Sequence, residues 1–236
     1  MKKISKKKVV VVVMPAYNAA KTLQRTYRDI PKKSVDKIIL VDDGSHDETV
    51  KIAKKLKIKT VVHPQNRGYG ANQKTCYTLA LSEGADIVVM IHPDYQYDAT
   101  LTQELIRPIL DNRADVMLGS RIRTRKEVLA GGMPVYKYVA NRFLTTVENV
   151  VLGYNLTEYH TGFRAFKRET LVKIGFHKLS DNFVFDQQIL IKMIRRGFRV
   201  GEIFVPVRYF KEASSIGFGQ SVRYGLNTLV ALLLDR

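Results

Sequence analysis

Val88-Val89-Met90-Ile91-His92-Pro93-Asp94-Tyr95-Gln96 changes character halfway along its length. Its apolar start has no polar alternation and reads as a strand buried on both faces, the habit of a parallel sheet covered by helices. The polar knot that follows falls at the strand's carboxyl end, where open α/β sheets bind their ligands. Asp94 and Gln96 are oxygen donors two residues apart at that place. They suit a hard divalent cation holding a diphosphate.

The same pattern repeats upstream. Residues 9–14 are a valine-rich strand broken by Pro15-Ala16-Tyr17-Asn18. Residues 37–41 predict a second strand, ending in Asp42-Asp43-Gly44-Ser45. Ser45 and Glu48 have capping-box spacing ahead of a helix with Thr49, Ile52, Ala53 and Leu56 on its buried stripe. A short strand at 60–63, a turn-rich loop 64–70 and a helix from 71 to Gly84 follow, with Gly84 as the C′ residue. A strand at 86–91, a helix at 101–110 broken late by Pro108, and a strand at 116–118 complete a β-α repeat. That order predicts a mainly parallel central sheet with right-handed crossovers and flanking helices. Beyond Arg121 the rhythm changes. Residues 121–134 read as a basic loop hinged at Gly131-Gly132, and 135–152 as a helix. A strand at 161–166, helices at 169–174 and 184–196, an extended run at 200–210 placed towards an edge by Pro206, and an apolar helix at 221–234 follow.

The 236 residues fit one domain, and 45% hydrophobic content supports a real core. Cys76 is the single cysteine, so no internal disulfide forms; a buried thiol and a reducing, cytoplasmic setting are expected. The lysines before residues 9–14 imitate a signal peptide, but the apolar run is shorter than the roughly 7–15 residues of a signal core and lacks a small-residue cleavage site. No stretch reaches the roughly 18–20 apolar residues of a membrane span. A balance of 39 basic to 22 acidic residues, +17 overall, fits solvated lysine faces or an anionic partner such as phospholipid, nucleotide phosphate or nucleic acid.

Each motif has a plain structural reading beside the functional one. Asp42 and Asp43 either cap the next helix or serve a base, a ribose or the metal crevice. Gly68-Tyr69-Gly70 lacks the third glycine of a dinucleotide fingerprint, since Gln73 stands there, and it follows the wrong strand; a nicotinamide enzyme is rejected. Gly68 then marks either a turn or a helix start facing a phosphate or ribose. Four oxygen-bearing side chains, Asp42, Asp43, Asp94 and Gln96, are expected to converge on one crevice. Asp186 opens a helix and either complements its dipole or faces the pocket as a general base. Arg208 and Lys211 end the last extended run, as an edge or as neutralisers of a leaving diphosphate.

In their order and spacing, Met14-Pro15-Ala16-Tyr17-Asn18, Val41-Asp42-Asp43-Gly44-Ser45, Asn66-Arg67-Gly68-Tyr69-Gly70, Asp94-Tyr95-Gln96, Gly119-Ser120-Arg121 and Thr161-Gly162-Phe163-Arg164 resemble the family 2 glycosyltransferases, closest to their polyprenol-phosphate (dolichol-phosphate) mannose or glucose synthase branch. The resemblance runs through nearly the whole chain. It implies the GT-A fold, with a nucleotide-binding half over 1–121 and an acceptor-side half over 122–236. It implies inverting transfer of a hexose from a UDP- or GDP-linked donor to a polyprenyl phosphate, a glycan or another hydroxyl, with Mg²⁺ or Mn²⁺. By the same likeness Pro15, Ala16 and Tyr17 line the nucleotide and Asp42 meets its base. Asp94 and Gln96 belong to the D-x-D-x-Q metal motif, with His92 in place of the first aspartate. Arg121 faces the sugar phosphate, Asp186 matches the acid at a helix start, and Arg208 and Lys211 match phosphate-binding basic residues. Two further departures accompany the likeness: Asn18-Ala19-Ala20 lacks a common glutamate, and the terminal basic motif is loosely kept at 211–215.

Two other readings stand beside this one. A sugar nucleotidyltransferase of similar fold needs a glycine-rich, lysine-bearing loop after the first strand, and residues 15–18 do not supply it. A basic module for nucleic acid or anionic membrane suits the charge but not carboxylates gathered at strand ends. No nucleic-acid partner is expected. Peripheral contact with an anionic membrane is open through the lysine-rich start and the apolar tail helix.

Overall fold

The computed structural model describes residues 7–206, 208–209 and 217–234. Lys211 and the 211–215 motif lie outside the described residues. Among those described, seven strands form one sheet: β1 (Val10–Ala16), β2 (Lys37–Asp42), β3 (Lys59–Val62), β4 (Ile87–Met90), β5 (Val116–Ser120), β6 (Arg164–Lys167) and β7 (Val200–Phe204), in the order β3-β2-β1-β4-β6-β5-β7. β6 runs antiparallel to β4 and β5, and all other pairings are parallel. The expected mainly parallel α/β sheet is the one observed.

Strand periodicity divides the core in two. Val11, Val13, Ile39 and Val41 face one layer, where they pack with Tyr77, Leu171, Phe185 and Ile189. Those partners come from α3 (Tyr69–Ser82), α7 (Arg168–Ile174) and α8 (Phe185–Arg195). Val10, Val12, Met14 and Leu40 face the other layer, against Leu23, Ala53, Leu105 and Ile106. These stand on α1 (Leu23–Asp29), α2 (Thr49–Lys55) and α4 (Thr102–Leu110). Burial on both faces explains why β1 reads as unbroken valine.

Several boundaries differ from expectation for identifiable reasons. β1 continues through Pro15 and Ala16. The last bond towards β4 is Ile91 N–H to Val13 O, so Pro15, two residues on, has no neighbour on that side that needs its missing N–H. The Ser45–Glu48 capping box does not form: the Ser45 hydroxyl donates to Asp42 Oδ1 instead (2.5 Å). The expected loop at 121–134 contains α5 (Arg125–Ala130), whose Thr124 side chain accepts from Glu127 N–H. Thr-x-x-Glu there is a helix-start signature that glycine and basic residues obscured. Pro108 sits in the last turn of α4, and Gly84 has the positive φ of a C′ residue.

The remaining helices, α6 (Val135–Leu152) and α9 (Phe218–Leu234), pack on α8 around Ile191, Ala231 and Leu232. No described helix is long and apolar enough to cross a membrane. β7 is an edge strand, as Pro206 suggested.

Candidate active site

A cleft of about 260 Å³ opens at the carboxyl ends of β4 and β5, bounded by α6, the start of α8, and α9. His92, Asp94, Gln96, Arg121 and Asp186 all line it, so tertiary structure gathers five of the expected residues. Tyr69, which the sequence reading passed over as a residue between two glycines, stands among them.

Tyr69 is the hub. Its hydroxyl donates to Asp186 Oδ2 (2.6 Å) and lies 2.9 Å from His92 Nε2. A phenol has one proton to give, so His92 Nε2–H is the donor in the second bond. Burial and Asp186 push the Tyr69 hydroxyl well above the ordinary phenol range, which keeps it protonated. The two rings also stack, with centroids 5.3 Å apart. Gln73 Nε2 donates to Asp186 Oδ1 (3.1 Å), and the fully buried Arg164 guanidinium lies 3.9 Å from the same oxygen. Gln73, in the place of the absent glycine, therefore has a use.

His92 fits only because residue 162 is glycine: a Cβ there would stand 2.6 Å from His92 Cδ2. Past His92 the chain turns through Tyr95 in the left-handed region, and Gln96 N–H donates to Asp94 Oδ1 (3.0 Å). Burial pushes the Asp94 carboxyl up, against the pull of His92 and Arg121. Arg208 N–H donates to Gln96 O, while its side chain lies over the Tyr95 ring at 4.8 Å and 3.9 Å from Asp98.

Arg121 has a partner the sequence reading missed. Its backbone N–H donates to Glu158 Oε2 (2.7 Å) and its Nε to Glu158 Oε1 (2.9 Å), with further bonds to Tyr209 Oη and His160 O. Glu158 is fully buried; burial opposes its charge, yet Arg121 holds its carboxyl below the usual range. No local pattern marks such a pair, because 37 residues separate its members.

The residues expected beside a nucleotide stand at the same end of the sheet but outside this cleft. Pro15 and Ala16 end β1, and Tyr17 is half exposed. Asp42 and Asp43 do not join Asp94, which corrects the expected four-oxygen crevice. Asp42 is consumed by the Ser45 hydroxyl and N–H. Asp43 accepts from His63 Nδ1, Arg67 N–H and Gly68 N–H. Adjacent buried carboxylates cost too much unless donors meet them, and local N–H groups are the nearest donors. Gly68, at φ +100°, passes 2.7 Å from Asp181 O for any added Cβ, and Asp181 O takes the Gly70 N–H. The N–H groups expected to face a phosphate are thus already engaged.

Among the described residues no three His, Cys, Asp or Glu side chains form a metal cage. The donor set still fits a cation that arrives with a diphosphate: Asp94 supplies one anionic ligand, and Mg²⁺-like ions take the rest from phosphate and water. His92 Nε2 is committed to Tyr69, which leaves Nδ1 as its ligand atom.

The sequence model of glycosyl transferase family 2 matches residues 11–175. A UDP-N-acetylglucosamine–dolichyl-phosphate N-acetylglucosaminyltransferase of Methanococcus voltae is 29% identical over 244 residues, covering 96% of this chain and 96% of the relative. A dolichyl-phosphate hexose transferase of Haloferax volcanii is 25% identical over 198 residues, covering 84% and 82%. Among solved structures, glucosyl-3-phosphoglycerate synthase from Mycobacterium tuberculosis, in complex with Mn²⁺, UDP and glucosyl-3-phosphoglycerate, matches with a TM-score of 0.74 at 19% identity, over 97% of this chain and 80% of that one. That likeness shows the fold, and it is the expected GT-A arrangement.

Proposed function

The chain belongs to glycosyltransferase family 2, and from that premise we propose that it transfers a sugar, with inversion, from a UDP-linked donor to a polyprenyl phosphate. The names of the two dolichyl-phosphate relatives support this acceptor, and the Mn²⁺ and UDP of the solved relative support the donor and the cation. Asp94, with Gln96 and His92 beside it, would hold Mn²⁺ or Mg²⁺. Bound there with the donor, the cation would neutralise charge developing on the leaving diphosphate. Arg121 lines the same cleft, held in its ion pair with Glu158, and Arg208 stands beyond the Asp94–Gln96 turn. Pro15, Ala16, Tyr17, Asp42 and Asp43 frame the nucleoside end, the two aspartates by shaping the loops around it.

The two dolichyl-phosphate relatives carry the choice of acceptor, and the anchoring of Asp186 accords with it. Asp94 and Asp186 are the carboxylates lining the cleft. Both oxygens of Asp186 already accept hydrogen bonds, from Tyr69 and Gln73. A hydroxyl acceptor needs a base in hydrogen-bond reach, and the one lone pair left on each Asp186 oxygen would have to serve it. A phosphate acceptor, with a second pKa of about 6, is already anionic at neutral pH and needs none. Asp186 then acts as a positioning residue that holds Tyr69 and, through it, His92.

The test offers UDP-sugars with Mn²⁺ and either a short polyprenyl phosphate or a free saccharide, and detects product by mass spectrometry. A lipid-phosphate-linked sugar is expected. Calorimetry on Asp94→Ala is expected to show loss of cation-dependent UDP-sugar binding with an unchanged thermal midpoint. Product on the saccharide alone would overturn the acceptor, and unchanged donor affinity in Asp94→Ala would overturn the cation site.

A further inference from the structure

α6 is built inside out. Its inward positions are Asn141, Leu144, Thr145 and Glu148, three of them polar, while Val135, Val139, Phe143 and Val150 point outward and are more than half exposed. The polar side has a reason: Asn141 and His160 line the cleft, Glu148 Oε2 lies 3.1 Å from His160 Nε2, and Asn141 Oδ1, Thr145 Oγ1 and Glu148 Oε1 are buried without hydrogen-bond partners. The apolar outer side has none among the described residues. α9 repeats the pattern, with Val222, Leu226, Val230, Leu233 and Leu234 each about half exposed or more. The two helices are neighbours, sharing Val147, Ala231 and Leu232 in one small core. Their outward stripes at i, i+4, i+8 spacing therefore form one apolar surface, larger than the scattered exposed residues normal on a soluble protein.

Charge selects what covers it. Apart from Lys137, which lines the cleft, the basic residues on α5, α6 and α9 are Arg125, Lys126, Arg142 and Arg223, against two acids, Glu127 and the fully buried Glu148. The chain as a whole carries +17. A second copy would bring the same positive charge to the interface. An anionic phospholipid surface supplies apolar depth and negative charge together, and each Lys or Arg near it adds attraction. No described helix is long and apolar enough to cross the bilayer, so the pair would lie in its interface.

We infer that the outer face of α6 and α9 docks on an anionic phospholipid bilayer and thereby brings the cleft to the membrane surface. Tyr136, Leu144 and Tyr224 of the same two helices line that cleft, so its wall and the docking face are two sides of one helix pair. A lipid phosphate leaving the bilayer would then reach the site without its tail crossing water. The docking face stands on its own observations; its link to the acceptor rests on the function proposed above.

The full chain is tested by flotation with phosphatidylcholine vesicles, with and without phosphatidylglycerol, and by light scattering for its oligomeric state. Binding is expected with phosphatidylglycerol, weakened by salt. Phe143→Ser with Leu226→Ser is expected to lower vesicle partition by about tenfold or more, from the lost apolar burial. Val139→Ser with Val230→Ser is a second pair should the first unfold. Lys126→Glu with Arg223→Glu is expected to weaken binding to anionic vesicles alone. UDP-sugar affinity is expected to stay at the unsubstituted level in all three, since none of these residues lines the cleft. Absence of vesicle binding, binding unaffected by both serine pairs, or an oligomer that the serine pairs dissolve would overturn the docking surface. A chain that floats but binds no UDP-sugar would overturn the glycosyl-transfer reading while supporting the surface.

Discussion

The Tyr69 hydroxyl donates to Asp186 Oδ2 across 2.6 Å, joining residues 117 positions apart in one cleft. Tyr69→Phe leaves a buried carboxylate oxygen without its donor, and a stability loss of about 1.5–3 kcal/mol is expected by urea denaturation. Asp186→Asn puts an amide where donors already point, so it too should destabilise. Its kcat towards polyprenyl phosphate, measured per folded enzyme, should stay within about tenfold of the unsubstituted chain. A fall of about 10²–10⁴ would instead mark Asp186 as a general base.

Gly162 is the space that admits His92. Gly162→Ala brings a Cβ to 2.6 Å from the imidazole, so the ring must move and lose its bond to Tyr69. The overpacking should cost about 1–3 kcal/mol. Donor affinity should fall with it, and calorimetry at a temperature well below the midpoint separates the two effects. Unchanged stability would mean that the ring relocates freely.

Arg121 and Glu158 form a pair that is unsafe to break from one side. Glu158 is fully buried, so Arg121→Ala strands its charge, and a loss of about 3–5 kcal/mol is expected in chemical denaturation. Arg121→Lys keeps the charge but not the forked geometry and should fall between. The double variant Arg121→Ala, Glu158→Ala should lose less than the sum of its parts. Additive losses would show that the two side chains act independently.

Asp115 ties the starts of β5 and β7 to the end of the antiparallel β6, through Arg199 and Lys167. Hydrogen bonding from Arg199, then from Lys167, holds its carboxyl well below the usual range despite some burial. A depressed value in the fold means that the unfolded chain binds the proton more readily. The stabilisation is therefore fully present above the unfolded value of about 3.9 and is lost as pH falls from there towards the folded one. Asp115→Asn should lower thermal stability at neutral pH and flatten the acid limb below about pH 4. An acid limb of unaltered slope would refute the assignment.

The sequence by itself determined the order of strands and helices apart from α5, the mainly parallel sheet and the end of the sheet that carries the site. These follow from short-range facts: unbroken apolar runs, helix periodicity, and polar residues just past strand ends. It also placed Asp94, Gln96, His92, Arg121 and Asp186 in one functional set. Only the tertiary structure decided their partners. Asp42 and Asp43 turned to nearby N–H groups, because a buried carboxylate takes the first donors within reach. Tyr69, Gln73, Glu158 and Gly162 acquired roles through contacts spanning tens of residues, which no local spacing records. Residues 135–152 read in sequence as a helix, with nothing to say which way the stripe Val135, Val139, Phe143 and Val150 faces. In the fold that helix turns its polar side to the cleft, so the apolar side meets the outside; periodicity tells that a helix has two faces, and only packing tells which one is in.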